Sequence, residues 1–90
     1  MPKKNANKET IFECVNDTPI NLYVTRSATI AAGYVGVNEG DTLKCKVLKT
    51  RELHGSMGQV MGDLAYDVLL LDGVGKGNYS VLYSNQFKIK

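Results

Sequence analysis

The chain has 90 residues, which is enough for one domain but not for two. Its 11 lysines and arginines against 9 acidic residues give a formal net charge of +2, which argues against a strongly basic chain but leaves local charged patches open. No stretch approaches the ~18 apolar residues of a membrane span, and the polar N-terminus is unlike a signal peptide, so we expect a cytoplasmic protein.

The N-terminal residues 1–9 predict a flexible basic arm that carries Lys3, Lys4 and Lys8. Residues 10–90 form the single predicted domain. Short apolar runs recur in it, and clusters of Gly, Pro, Asn and Asp separate them, which is typical of strands joined by turns. The predicted strands are 10–15, 20–26, 34–37, 42–49, 66–71, 79–83 and 86–90.

Alternation of apolar and polar residues indicates which side of each strand is buried. In segment 42–49, Lys44 and Lys46 alternate with apolar residues and are therefore predicted to lie on the solvent side. Segment 66–71 is apolar on both faces, as in a central strand. The predicted core consists of Ile20, Leu22, Val24, Leu43, Cys45, Val47, Val68, Leu70, Val81, Phe87 and Ile89.

Two segments between these strands have no clear periodicity. Residues 50–64 contain three glycines and predict a long mobile loop, in which 59–61 fit a short strand. Residues 72–78 contain Gly73, Gly75 and Gly77 and predict a hairpin connection. Turns every 8 to 12 residues favour a mainly β fold, and we expect a small five-to-six-stranded antiparallel barrel with a flexible N-terminal arm.

The order of these elements resembles small barrels of the Src-homology-three type, over roughly residues 20–90. The resemblance consists of an opening strand, a Gly-Asp turn followed by a strand, a hairpin around Asp-Gly, and a short turn before the last strand. These features lie at 22–24, 39–43, 71–73 and 84–89.

Two further segments resemble the KOW motif, itself a piece of a similar barrel. They are Gly40-Asp41-Thr42-Leu43-Lys44-Cys45 and Gly55-Ser56-Met57-Gly58-Gln59-Val60. That resemblance implies partners such as nucleic acid, ribosomes or RNA polymerase.

Groups that could support catalysis have simpler explanations. A phosphate loop needs a helix after its glycines, whereas a strand is predicted after Gly77. His54 lies on a glycine-bearing segment without a positioned nucleophile, and Asp63 and Asp67 fit solvated charges. The two cysteines, Cys14 and Cys45, match no metal-ligand spacing and are expected to be reduced core residues. We therefore expect no enzyme activity, metal or cofactor.

The lysines favour a binding function, because positive charge near aromatic rings suits a nucleic-acid surface. The alternative is that lysines on an edge strand prevent sheet-to-sheet aggregation. The predicted binding residues are Lys3, Lys4, Lys8, Tyr23, Lys44, Lys46, Arg51 and Lys88.

The sequence therefore predicts a non-enzymatic binding module for nucleic acid or a nucleoprotein machine. The alternative is a protein–protein adaptor or a small inhibitor or regulator of an enzyme, such as bacterial viruses encode. We expect no membrane partner.

Overall fold

The computed structural model describes residues 9–73 and 75–90, except for the side chains of Met57 and Gly58. The predicted arm and its three lysines therefore lie outside the described residues, apart from Glu9. Seven strands and one helix are present in the described part of the chain. They are β1 (Thr10–Cys14), β2 (Thr18–Tyr23), β3 (Ala31–Val37), β4 (Thr42–Glu52), α1 (Gly55–Met61), β5 (Leu64–Leu70), β6 (Tyr79–Tyr83) and β7 (Phe87–Ile89).

All seven strands belong to one antiparallel sheet, in the order β3-β2-β6-β5-β4-β1-β7. This confirms the mainly β prediction and the central position of β5, although the strand count exceeds the expected five or six. The ladder is not closed into a barrel, because no described pairing joins β3 to β7. The sheet is nevertheless curved, since Ile20 and Val37 from one end share a core cluster with Phe12 and Phe87 from the other.

Most of the predicted core is confirmed. Six of its eleven residues are buried, and Leu43 and Val47 pack against them. Core residues that alternation did not identify are Phe12, Cys14, Val37, Ala65 and Leu82.

Three core predictions are wrong for local reasons. Val24 is 56% exposed because β2 ends one residue earlier. Ile89 is 54% exposed because it lies on β7, at the edge of the sheet. Val81 is half-buried on the outward face, since its neighbours Ser80 and Leu82 point into the core.

The predicted loop over 50–64 is also wrong. β4 continues to Glu52, α1 occupies Gly55–Met61, and the next strand begins at Leu64, so 59–61 is helical and not extended. The Leu53 N–H donates to the Asp63 carbonyl over 2.8 Å, which brings the two ends of the segment together.

Gly62 ends the helix with a positive φ of 98°, the conformation that favours glycine after a helix C-terminus. Its α-carbon also approaches the β6–β7 turn closely. A Cβ added there would lie 2.6 Å from the Asn85 nitrogen and would overlap the Ser84 hydroxyl. Gly62 therefore fixes how α1 packs against this turn.

We expect Gly62→Ala to destabilise the protein more than Gly77→Ala. Both glycines have positive φ, at 98° and 87°, so both substitutions carry the same backbone strain of about 1 kcal/mol. A Cβ at Gly77 meets open space, whereas at Gly62 it meets backbone, which adds about 1–3 kcal/mol. Urea denaturation measures both values, and equal losses in the two variants would contradict the close approach.

Candidate nucleic-acid interface

The outward face of β4 carries four basic residues in succession. Cys45 and Val47 face the core, which turns Lys44 and Lys46 outward as predicted. The register then shifts between Val47 and Lys49. We call the resulting row of outward side chains the β4 basic stripe, and it consists of Lys44, Lys46, Lys49 and Arg51.

The register shift decides that Lys49 and Arg51 belong to this stripe. Val47 pairs with the buried Val68, and Lys49, two positions later, pairs with Asp67, which faces outward. Leu48 is the extra residue of a β-bulge. Without the bulge, Lys49 and Arg51 would point toward the opposite face from Lys46.

β4 is an interior strand, which bears on the purpose of its lysines. It pairs with β1 over residues 42–45 and with β5 over residues 45–52. Lysines that block aggregation act at unpaired sheet edges. Edge protection therefore does not account for Lys44, which pairs with Ile11 of β1. It fits Lys88 on the edge strand β7, and it stays the alternative for Lys46, which lies beyond the described β1 pairings.

Two tyrosines stand in the same cross-strand row as Lys46. The register pairs Lys46 with Leu69, Leu69 with Tyr79, and Tyr79 with Tyr23. Residues paired across strands share a face, so this row runs outward across β4, β5, β6 and β2. Both tyrosines are half-buried. The outward face therefore carries a lysine and two aromatic rings in one row, and neighbouring strands in this row lie about 4.8 Å apart.

Two carboxylates partly balance the basic side chains. Asp67 accepts a hydrogen bond from the Arg51 guanidinium over 2.8 Å. Glu13 lies 3.8 Å from the Lys88 ammonium. All four side chains keep substantial exposure, and exposed pairs of this kind contribute only about 0–1 kcal/mol. Phosphate groups can therefore compete for these cations at small cost.

The β2–β3 loop brings one further cation to this face. Arg26, together with Ser27, borders a cleft of about 350 Å³ whose other wall includes Leu48, Arg51 and Asp67.

The shape of this loop comes from its own contacts. The Ala28 N–H donates to the Thr25 carbonyl over 3.0 Å, and Ala28 has a positive φ of 59°. The hydroxyls of Thr25, Ser27 and Thr29 lie 3.0–3.2 Å from one another.

Four of the predicted binding residues lie on one face of the sheet, and these are Lys44, Lys46, Arg51 and Tyr23. Lys88 lies two strands from β4 and is not part of the stripe. Lys3, Lys4 and Lys8 lie outside the described residues. Sequence reasoning missed three residues of this face, which are Arg26, Lys49 and Tyr79.

Groups with catalytic potential are scattered in the structure. The His54 Nε2 atom lies 3.7 Å from a Glu52 carboxylate oxygen, and both side chains are more than three-quarters exposed. Gly77 donates to the Leu70 carbonyl in the β5–β6 connection, and a strand follows. Among the described residues, no group of three or more His, Cys, Asp or Glu side chains is placed to hold a metal ion.

Both cysteines are unpaired and buried in the core. Burial raises the pKa of the Cys45 thiol from 9.0 to about 12. Burial also raises the pKa of Cys14, whose thiol donates to the Asn16 carbonyl over 2.9 Å. Both thiols therefore stay protonated at neutral pH, which makes them poor nucleophiles.

Comparison of the chain with protein-family models, curated proteins and solved structures found no match. Within the part of the chain that the structure describes, no helix has the length and apolar character needed to cross a membrane.

We expect the free energy of unfolding to fall as pH rises from 9 toward 12. In this window the unfolded chain loses the Cys45 proton while the folded chain retains it, so rising pH favours unfolding. The contribution is about 1.4 kcal/mol per pH unit. Urea denaturation at pH 8, 9.5 and 10.5 measures it, with Cys45→Ala as the control that lacks this group. Parallel pH dependences for the two proteins would contradict the raised pKa.

Proposed function

We propose that this protein is a non-catalytic binding module that holds nucleic acid on the outward face of its sheet. The observation that carries the proposal is the β4 basic stripe on the outward face of the sheet. Four cations follow one another along β4, and at about 3.3 Å per residue they extend over roughly 20 Å. Such a row can follow a phosphate backbone, where binding releases condensed counterions.

Weak sequence specificity is part of the proposal. Reading base edges in the major groove takes a helix or a two-stranded ribbon with suitable donors. α1 has seven residues and carries no basic residue in its last turn. Lys44, Lys46 and Lys49 suit phosphates, and Tyr23 and Tyr79 offer ring surface that does not distinguish between bases.

The resemblance to small barrels and the state of the two cysteines support two further parts of the proposal, which are the kind of partner and the compartment. The curved sheet with a shared core supports an open relative of the small Src-homology-three barrels. Of the two KOW-like segments, 55–60 is helical, and the remaining segment, 40–45, supports a nucleoprotein machine such as a ribosome or RNA polymerase as the partner. The buried, unpaired Cys14 and Cys45 support a reducing compartment such as the cytoplasm.

A protein partner is the second candidate, and a groove favours it. Pro19, Tyr23, Met61, Val81 and Tyr83 border a groove of about 410 Å³ on the other side of β6 from the stripe. Apolar and aromatic linings of this kind can receive a side chain of a partner protein. An adaptor or a small regulator of an enzyme would bind its protein partner through this groove and not through the lysines of the β4 basic stripe.

Charge reversal of the stripe tests the first candidate. We expect Lys44→Glu with Lys46→Glu to weaken binding of labelled DNA and RNA well over tenfold, since each lost phosphate contact costs on the order of 1 kcal/mol. The slope of log affinity against log salt should fall by about 2. Fluorescence anisotropy at several salt concentrations measures both quantities.

The matched control is Lys88→Glu with Lys90→Glu, which makes the same change in charge beside the sheet edge. We expect it to lower the salt slope less than the stripe variant does, because these residues lie two strands from β4, although they share its outward face. Equal losses in the two variants would show that total charge matters and not the stripe. If the wild-type protein binds neither DNA nor RNA at ~50 mM salt, the proposal fails and the protein-partner candidate takes its place.

A further inference from the structure

The two edges of the sheet differ in length and charge. β7 has three residues, carries Lys88, and is followed by Lys90. β3 has seven residues and contains no charged residue and no proline. Among the described strands, β3 pairs with β2 alone, so its other edge is open. Charge, proline and short length are the usual protections of an edge, and β3 lacks all three.

The regular part of β3 begins after a bulge. Leu22 pairs with Gly33 and Tyr23 pairs with Ala31, which makes Ala32 the extra residue. Gly33 has a φ of 118°, and the strand continues in regular register from there to Val37. Residues 33–37 therefore form a straight edge of five residues that another strand can extend.

The side chains on this edge are arranged so that the strand can pair with a second copy of itself. Tyr34 points outward and is 75% exposed, while Gly36, two residues later on the same face, has open space where a Cβ would lie. On the inward face, Val35 and Val37 border a groove of about 500 Å³. Its lining is apolar at Ile20, Leu43 and Leu70 and polar at Asp41, Lys44 and Asp72. A strand laid along β3 would place a side chain over this groove.

We propose that β3 is the interface of a homodimer, in which it pairs antiparallel with β3 of a second copy. The two-fold axis passes at Val35, so that each Tyr34 ring covers Gly36 of the other copy. The two Val35 side chains then meet at the apolar part of this groove, near Ile20. A second copy fits this edge because an uncharged strand pairs with itself without like-charge repulsion, and an isologous contact closes after two copies. The proposal does not rest on nucleic-acid binding, although Lys44 of the β4 basic stripe also lines the groove beside β3.

Sedimentation of the intact protein tests the association. We expect the wild-type chain of 9.9 kDa to reach twice that mass as its concentration rises. Gly36→Lys should weaken dimerisation by at least about tenfold, because a lysine on an edge opposes pairing. Gly36 tolerates a side chain in the monomer, since a Cβ there meets no atom within 4 Å. Val60→Lys is the matched control, because Val60 is 63% exposed and lies on α1 and not on β3, and it should leave dimerisation unchanged.

Disulfide cross-linking tests the register without relying on the stability of Gly36→Lys. In the proposed pairing, position 34 of one copy lies opposite position 36 of the other, with Cα atoms about 4.5–5.5 Å apart, a distance that a disulfide spans. The double variant Tyr34→Cys with Gly36→Cys should cross-link into a dimer under mild oxidation, while each single variant stays largely uncross-linked. The native cysteines are at most 1% exposed and do not interfere.

Three outcomes would overturn the proposal. One is a wild-type protein that stays monomeric up to its solubility limit. Another is growth beyond the dimer, which would indicate β3 joining β7 of the next copy in an open chain. The third is efficient cross-linking through Tyr34→Cys alone, which would require a different pairing register.

Discussion

The position of β4 between β1 and β5 is the constraint on which both the core and the candidate site depend. Pairing with β1 over residues 42–45 and with β5 over residues 45–52 fixes the face on which each side chain of the strand lies. Cys45 and Val47 contribute to the core, so the neighbouring Lys44 and Lys46 point to the outward face. A slip of one residue would bury cations and expose the core, so the hydrophobic interior itself holds the basic stripe in position.

The bulge at Leu48 extends this arrangement beyond the simple alternation. It shifts the phase of the strand so that Lys49 and Arg51 join Lys44 and Lys46 on one face. The same shift places Arg51 beside Asp67 and opens a cleft toward the β2–β3 loop. One inserted residue thus changes two separate pairs of cations into a single row of four. The candidate function rests on this local irregularity as much as on the regular sheet.

The curvature of the open sheet separates its surfaces into different roles. Strands from both ends contribute to one core, which leaves a single outward face and two edges. The outward face carries the cations and the tyrosines. Of the edges, β7 bears charge and is short, while β3 is long and neutral. This asymmetry is the reason that we propose β3, and not β7, as the edge at which two copies associate.

The sequence by itself determined the strand-rich architecture, the inward position of Cys45 and the outward position of Lys44 and Lys46, because apolar alternation with period two reports burial directly. The tertiary structure alone decided which strands are neighbours, and hence that β4 is interior and that Tyr79 lies in the row of Lys46. It also decided the phase shift at Leu48 and the helix over Gly55–Met61, a segment whose three glycines favoured a loop. Strand order, bulges and helix docking depend on contacts between residues distant in the chain, and no local pattern encodes them.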